Sequence, residues 1–106
     1  MLKRAKRRYL ALEIDSDEPF GQEEFMDAVW ISVLKLYGEH GASRASLSLI
    51  DCDPERRIAV IRVAHAVVEM IRAALASMTK IGNKPVSVRI IKVSGTIESL
   101  REKTKP

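Results

Sequence analysis

Residues 86–100 read VSVRIIKVSGTIESL, a strand pattern that turns through Ser94, Gly95 and Thr96 into a helix pattern. Val86, Val88 and Ile90 alternate with Ser87 and Arg89, the period of a strand buried on one face, and β-branched residues are dense. Beyond Thr96 the apolar Ile97 and Leu100 lie three apart, and Arg101 and Lys105 four apart. That spacing predicts a short helix over 97–105 with a basic outer side. Ser94 or Thr96 is placed to cap it. Gly95 has no Cβ, which lets the backbone turn sharply there and approach another molecule closely.

Working back from this corner, Val67, Val68, Ile71, Ala74, Leu75 and Met78 predict a helix from about Ala66 to Thr79, ended by Gly82 and Asn83 before Pro85 opens the last strand. The run Ile58, Ala59, Val60, Ile61 within Arg57–Val63 is dense enough for a central strand. Leu47, Leu49 and Asp51 alternate with Ser46, Ser48 and Ile50 as another strand, and Asp51–Arg56 (DCDPER) is a polar connection. Gln22–Tyr37 reads as a helix with Phe25, Val29, Val33 and Leu36 on one stripe, widened by Met26, Trp30 and Tyr37, so Trp30 is expected in the core. Glu23, Glu24 and Asp27 oppose the helix dipole, and Gly38 is the expected stop. Tyr9–Ile14 is the first strand, with Leu10, Leu12 and Ile14 on one face.

The order is strand, helix, strand, strand, helix, strand, helix. It predicts an α+β, ferredoxin-like (RRM-like) βαββαβ sandwich with a C-terminal helix and an antiparallel sheet of order 4-1-3-2. At 106 residues the chain reads as a single domain over 1–106, with residues 1–7 as a basic arm. A single cysteine, Cys52, forms no internal disulfide. No apolar run has membrane-spanning length and no signal-peptide pattern occurs, so a cytoplasmic protein without membrane contact is expected.

The net charge of +4 is unevenly spread. Lys3, Arg4, Lys6, Arg7 and Arg8 fall in the first eight residues, whereas Glu13 to Asp27 holds acids and no base. In the predicted topology Arg7, Arg8, Arg62, His65 and Lys92, with Arg44 and Arg101, gather at one edge of the sheet, and the acidic loops lie at the other. Such a basic edge points to a polyanion. Phosphate contacts from it, helped by close backbone approach at Gly95, are the expected mode of RNA binding. Base stacking of the RRM kind is not expected, because RIAVIRV has no aromatic and the first strand offers only Tyr9.

Enzymatic chemistry has little support. Asp15, Asp17, Asp51 and Asp53 are the candidate magnesium ligands of a nuclease, but the predicted sheet puts a strand between the two pairs, about 10 Å of separation. His40 and His65 have no Cys or Asp at metal-ligand spacing, and Cys52 has no neighbouring base in sequence. An alternative to RNA binding is a ferredoxin-like interaction or dimerisation module in which a sheet face bearing Tyr9, Ala11 and Ala59 meets a second copy or another subunit without direct RNA contact.

Several separated stretches together resemble the ribonuclease P protein component 2 family of archaea and eukaryotes. They are Arg8, Tyr9, Leu10; Ala28, Val29, Trp30 followed by Gly38, Glu39 and Gly41; Arg62 through Val68 and Glu69 to Arg72, Ala74 and Leu75; and Val93, Ser94, Gly95, Thr96, Ile97. The resemblance implies the same ferredoxin-like fold. It also implies a non-catalytic subunit of the ribonucleoprotein endonuclease (EC 3.1.26.5) that removes 5′ leaders from precursor tRNA. The implied partners are the ribonuclease P RNA, ribonuclease P protein component 3 and other ribonuclease P protein subunits, in heterodimers or in a heterotetramer that contains a homodimer. No cofactor is expected on this chain, with magnesium carried by the catalytic RNA. Arg4, Arg7, Arg8, Arg62, Lys92, Ser94, Gly95, Thr96 and Arg101 are the expected RNA-facing residues. The position after Ile97, commonly basic in relatives, is Glu98 here.

Overall fold

A computed structural model of the chain describes residues 6–96. The first strand, β1 (Arg7–Ser16), runs through the middle of the sheet with β3 (Ile58–Ala64) antiparallel on one side and β5 (Lys84–Ser94) antiparallel on the other. β2 (Ser48–Asp53) pairs with the far side of β3. The expected order of four strands is not matched in full. A fifth strand, the two-residue β4 (Lys80–Ile81), folds back on β5 through a hairpin with Gly82 at φ 62°, so the order is β2-β3-β1-β5-β4.

Alternation along β1 decides which face is buried. Leu10, Leu12 and Ile14 have no exposed surface and pack under α1 (Gln22–Arg44) and α2 (Val68–Ser77), with Phe25, Val29, Val33, Ile71, Ala74 and Leu75 from the helices. Ile61 and Val63 of β3 and Ile81 and Val86 beside the hairpin complete this core. A single turn of 3-10 helix, His65–Val67, joins β3 to α2 and begins where His65 N–H donates to Lys6 O at 2.7 Å.

α1 runs longer than expected. Gly38 does not stop it but bends it, taking φ 72° and ψ −179°, a combination reached essentially by glycine alone. The helix resumes because Ala42, on the last turns, is buried in the core. At its other end Glu24 accepts the Gly21 N–H at 3.1 Å, and its carboxylate also takes the Lys84 ammonium at 3.0 and 3.2 Å. One side chain therefore satisfies a free N–H at the helix start and ties the helix to the first residue of β5. Glu24 is held below the ordinary carboxylate range chiefly by the hydrogen bond from Lys84, then by that from Gly21.

Residues 97–106, including the expected terminal helix with Ile97, Glu98, Leu100 and Arg101, lie outside the described residues, as do residues 1–5 of the basic arm, Arg4 among them.

Two predictions follow from the bends and clamps of α1. A Cβ at Gly38 meets nothing within 4 Å, so the cost of Gly38→Ala is one of backbone conformation alone. It should destabilise the fold by about 1–3 kcal/mol, seen as a lower urea midpoint at unchanged slope. A depressed carboxylate contributes stability that is present above its unfolded pKa and lost as pH falls through its folded pKa. Lys84→Met should therefore lower the melting temperature near pH 7, and the gap from the parent chain should close as the pH drops through the lowered range of Glu24.

Candidate nucleic-acid interface

Strand register assembles the site. On the sheet face away from the helices, Ser48 lies opposite Arg62, Arg62 opposite Tyr9, and Tyr9 opposite Ser94, one row across β2, β3, β1 and β5. One step outward Arg7 faces Ala64, with His65 next in the chain. One step inward Asp51, Val60, Ala11 and Lys92 form the next row. The Ala64 N–H donates to Ala45 O at 2.9 Å, which brings the end of α1, with Arg44, to the same end of the sheet. Arg7, Arg8, Arg62, His65, Lys92, Ser94, Gly95 and Thr96 are thus brought together, as expected. Arg4 and Arg101 are outside the described residues.

Arg8 alternates onto the helix side of β1 and is half-buried at the end of the strand. Its Nη1 donates to Arg7 O at 3.0 Å and stands 3.6 Å from where a Cβ on Gly95 would be, so the start of β1 and the corner after β5 are in contact. At that corner Ser94 Oγ accepts the Thr96 N–H at 3.3 Å, a side-chain turn that holds the backbone as the chain leaves the sheet. Arg62 is half-buried, and its Nε is shut off from solvent with no hydrogen-bond partner. A charged donor left in that state costs about 1–3 kcal/mol or more.

At the other end of the sheet a few acids stand beside bases, and one accepts a backbone amide. Glu13 takes Arg89, Asp15 stands 3.8 Å from Arg57, and Asp53 accepts the Arg56 N–H at 3.2 Å. Among the described residues no ion pair within 4 Å involves Arg7, Arg8 or Arg62. Asp17, Glu18 and Glu55 at that end have no ion pair within 4 Å among the described residues, so an acidic end stands opposite the basic one, as expected.

The magnesium candidates do not converge: Asp15 is on β1 and Asp51 and Asp53 on β2, with β3 between them. Among the described residues no group of three or more His, Cys, Asp or Glu could hold a metal ion. The Cys52 thiol is half-buried on the helix side, and burial first, then the charges of Asp51 and Asp53, push its pKa up, the wrong direction for a nucleophile.

Two expectations about apolar surfaces are corrected. Ala59 does not lie on the open sheet face with Tyr9 and Ala11. It pairs with Leu12 and is 1% exposed in the main core, because the register puts Val60, not Ala59, beside Ala11. Ala11 and Val60 form a small cluster with Tyr9 and Ile50 and are themselves buried, so this face is not a bare alanine patch. Trp30 is 40% exposed rather than core, one position round the helix from the buried Val29. Tyr37, two turns on, is exposed on the same side, and Ile31 and Leu36 are exposed beside β4, apolar surface of α1 that sequence reasoning missed; its signal was a helix apolar on nearly all sides.

The model of the Rpp14/Pop5 family matches residues 8–105. The chain belongs to this family. Among its curated relatives, ribonuclease P protein component 2 of Pyrococcus abyssi is 36% identical over 94% of this chain and 85% of its own length. The proteins of the same name from Thermococcus kodakarensis and Methanosarcina barkeri are 36% and 35% identical over 94% of this chain, covering 83% and 73% of their own lengths. The family thus identifies the chain as a protein subunit of ribonuclease P. A chain in the cryo-EM structure of yeast ribonuclease MRP has the same fold, with a TM-score of 0.71, 16% identity and coverage of 97% of this chain and 94% of its own. No described helix of the Rpp14/Pop5 protein is long and apolar enough to cross a membrane.

Proposed function

We propose that this Rpp14/Pop5 protein supports the catalytic RNA of ribonuclease P in removing 5′ leaders from precursor tRNA, with the RNA carrying the magnesium ions and the chemistry (EC 3.1.26.5). The chain itself contributes no catalytic group. The gathering of cations at one end of the sheet carries this reading. Arg7, Arg8, Arg62 and Lys92, with Arg101 beyond the described residues, supply charge to RNA phosphates, and Gly95 and Thr96 let backbone approach them. The setting is the cytoplasm.

The partners of this reading are ribonuclease P protein component 3 and the other protein subunits. The outer side of α1 suits a protein rather than RNA, since Trp30, Ile31, Leu36 and Tyr37 are apolar or aromatic and exposed. It continues into a groove of about 460 Å³ beside β4, lined by Ala28, Ile31, Leu36 and Met78 with Lys35 and Lys80. A homodimer within a heterotetramer through the open sheet face is the weaker arrangement, because Ala11 and Val60 are already buried and have little apolar area to lose.

Reconstituted cleavage of a precursor tRNA at limiting magnesium tests the proposal. The cognate RNA with component 3 should cut slowly, and addition of this chain should accelerate 5′ leader removal; no change with the other subunits active would overturn the role. The basic edge is tested by salt. Five neutralised phosphates on single-stranded RNA give a log-log slope of about −3.5, and Arg7→Gln should lessen it by about 0.7; a flat response would remove this edge as the RNA surface.

A further inference from the structure

We infer that Arg62 and Tyr9 form a single-nucleotide subsite for unpaired RNA, in which the guanidinium takes the phosphate and the phenol ring stacks a base. The inference rests on the RNA-binding reading and goes beyond it, because it replaces diffuse charge by one defined contact on the sheet face away from the helices. Three observations carry it. Arg62 and Tyr9 are register partners on the two central strands, so their side chains leave the same face side by side. The row they occupy is extended on both sides by hydroxyls, Ser48 on β2 and Ser94 on β5, and contains no carboxylate. The first acid on this face is Asp51, on the edge strand and in the next row inward.

The third observation is the orphaned Nε of Arg62. An arginine has five N–H donors and no acceptor, and its edge formed by Nε and one terminal nitrogen matches two oxygens of a phosphate. Neither register neighbour hydrogen-bonds the buried Nε, and a small outward turn of the guanidinium gives a phosphate the two-point contact that the free protein leaves unmade. Tyr9 is half-buried with one side held against Ala11 and Val60, which fixes the ring for stacking. A protein ligand is less suited to a row of donors and hydroxyls one step from Arg7 and Lys92 than a chain with one negative charge per nucleotide. The site is smaller than a full RRM platform, which stacks two or three bases on aromatics of both central strands. Here the guanidinium stands where the second aromatic would be, so a single base is held.

The test is binding of a fluorescent uridine octamer to the full chain at low salt, with its abasic ribose-phosphate counterpart as a second probe. Arg62→Lys, which keeps the charge but removes the planar edge, and Tyr9→Leu should each weaken octamer binding about fivefold or more. Arg72→Gln, on α2 and ion-paired with Glu69, should change it less than twofold. The abasic probe should bind less tightly and be indifferent to Tyr9→Leu. Ultraviolet cross-linking of a 4-thiouridine octamer to the unaltered chain, which requires no variant to fold, should map to Tyr9. Wild-type affinity in Arg62→Lys, equal binding of the abasic probe, or a cross-link confined to other elements would overturn the subsite. Protection of Tyr9 and Arg62 only on adding a protein subunit, without an octamer cross-link, would assign the face to protein instead. Cleavage of precursor tRNA in the reconstituted enzyme reports separately on the subunit role, so loss of the subsite and loss of that role are distinguishable.

Discussion

Antiparallel pairing of β1 on both of its edges is the constraint from which the rest of the molecule follows. With β3 on one side and β5 on the other, the phase of β1 is set twice. A slip of one residue would turn Leu10, Leu12 and Ile14 to the open face and bring Glu13 and Asp15 beneath the helices, where no partner awaits them. Two bulges absorb the mismatches of the sheet, with Ile91 as the extra residue of β5 between the partners of Ala11 and Leu12, and Ile50 that of β2 between Leu49 and Asp51, the partners of Ile61 and Val60. Each keeps the residues beyond it on the correct face while adding twist. The row of Ser48, Arg62, Tyr9 and Ser94 exists because both bulges fall inward of it, leaving register at the basic end undisturbed.

Charge is segregated along the strands, and the pairing explains why. Three acids at the far end stand beside bases supplied by the neighbouring strand or turn: Glu13 by Arg89, Asp15 by Arg57 and Glu24 by Lys84. Exposed pairs of this kind add little to stability, and they offset only part of the negative charge at that end, where Asp17, Glu18 and Glu55 have no such pair among the described residues. The cations at the start of β1 and the end of β3 meet no described carboxylate within ion-pair range, so their field extends into solvent. A modest net charge of +4 therefore understates the local potential an approaching polyanion meets.

How much of this was legible varied with how each element announces itself. β1 and β5 alternate, so their faces could be read directly. β3 is apolar at four consecutive positions, a run without phase, and Ala59 and Val60 could be told apart only by their partners, Leu12 and Ala11. β4 has two residues, too few for any period, and is held by its hairpin. Gly38 carries the ordinary mark of a helix end, yet the chain resumes helical form because burial of Ala42 outweighs the interruption. Trp30 was misplaced because a wide apolar stripe does not say which of its edges faces the sheet. The gathering of Arg7, Arg62 and Lys92 followed from topology, whereas the orphaned Nε depends on side-chain packing and has no sequence signature.

The two unlike surfaces of the Rpp14/Pop5 protein lie on opposite sides of one sheet. Helices cover one face, so the outer side of α1, with Trp30, Ile31 and Tyr37, points away from the open face that bears Arg62 and Tyr9. Apolar contact with protein is strengthened by excluding water and is insensitive to salt, whereas contact with phosphates is screened by salt and releases counterions. Placed on one face the two would interfere, because burying the apolar patch would desolvate the cations beside it at considerable cost. Separated by the thickness of the sandwich, each is free to form without altering the other. That arrangement suits a small protein subunit of a ribonucleoprotein, which has more than one kind of neighbour to meet.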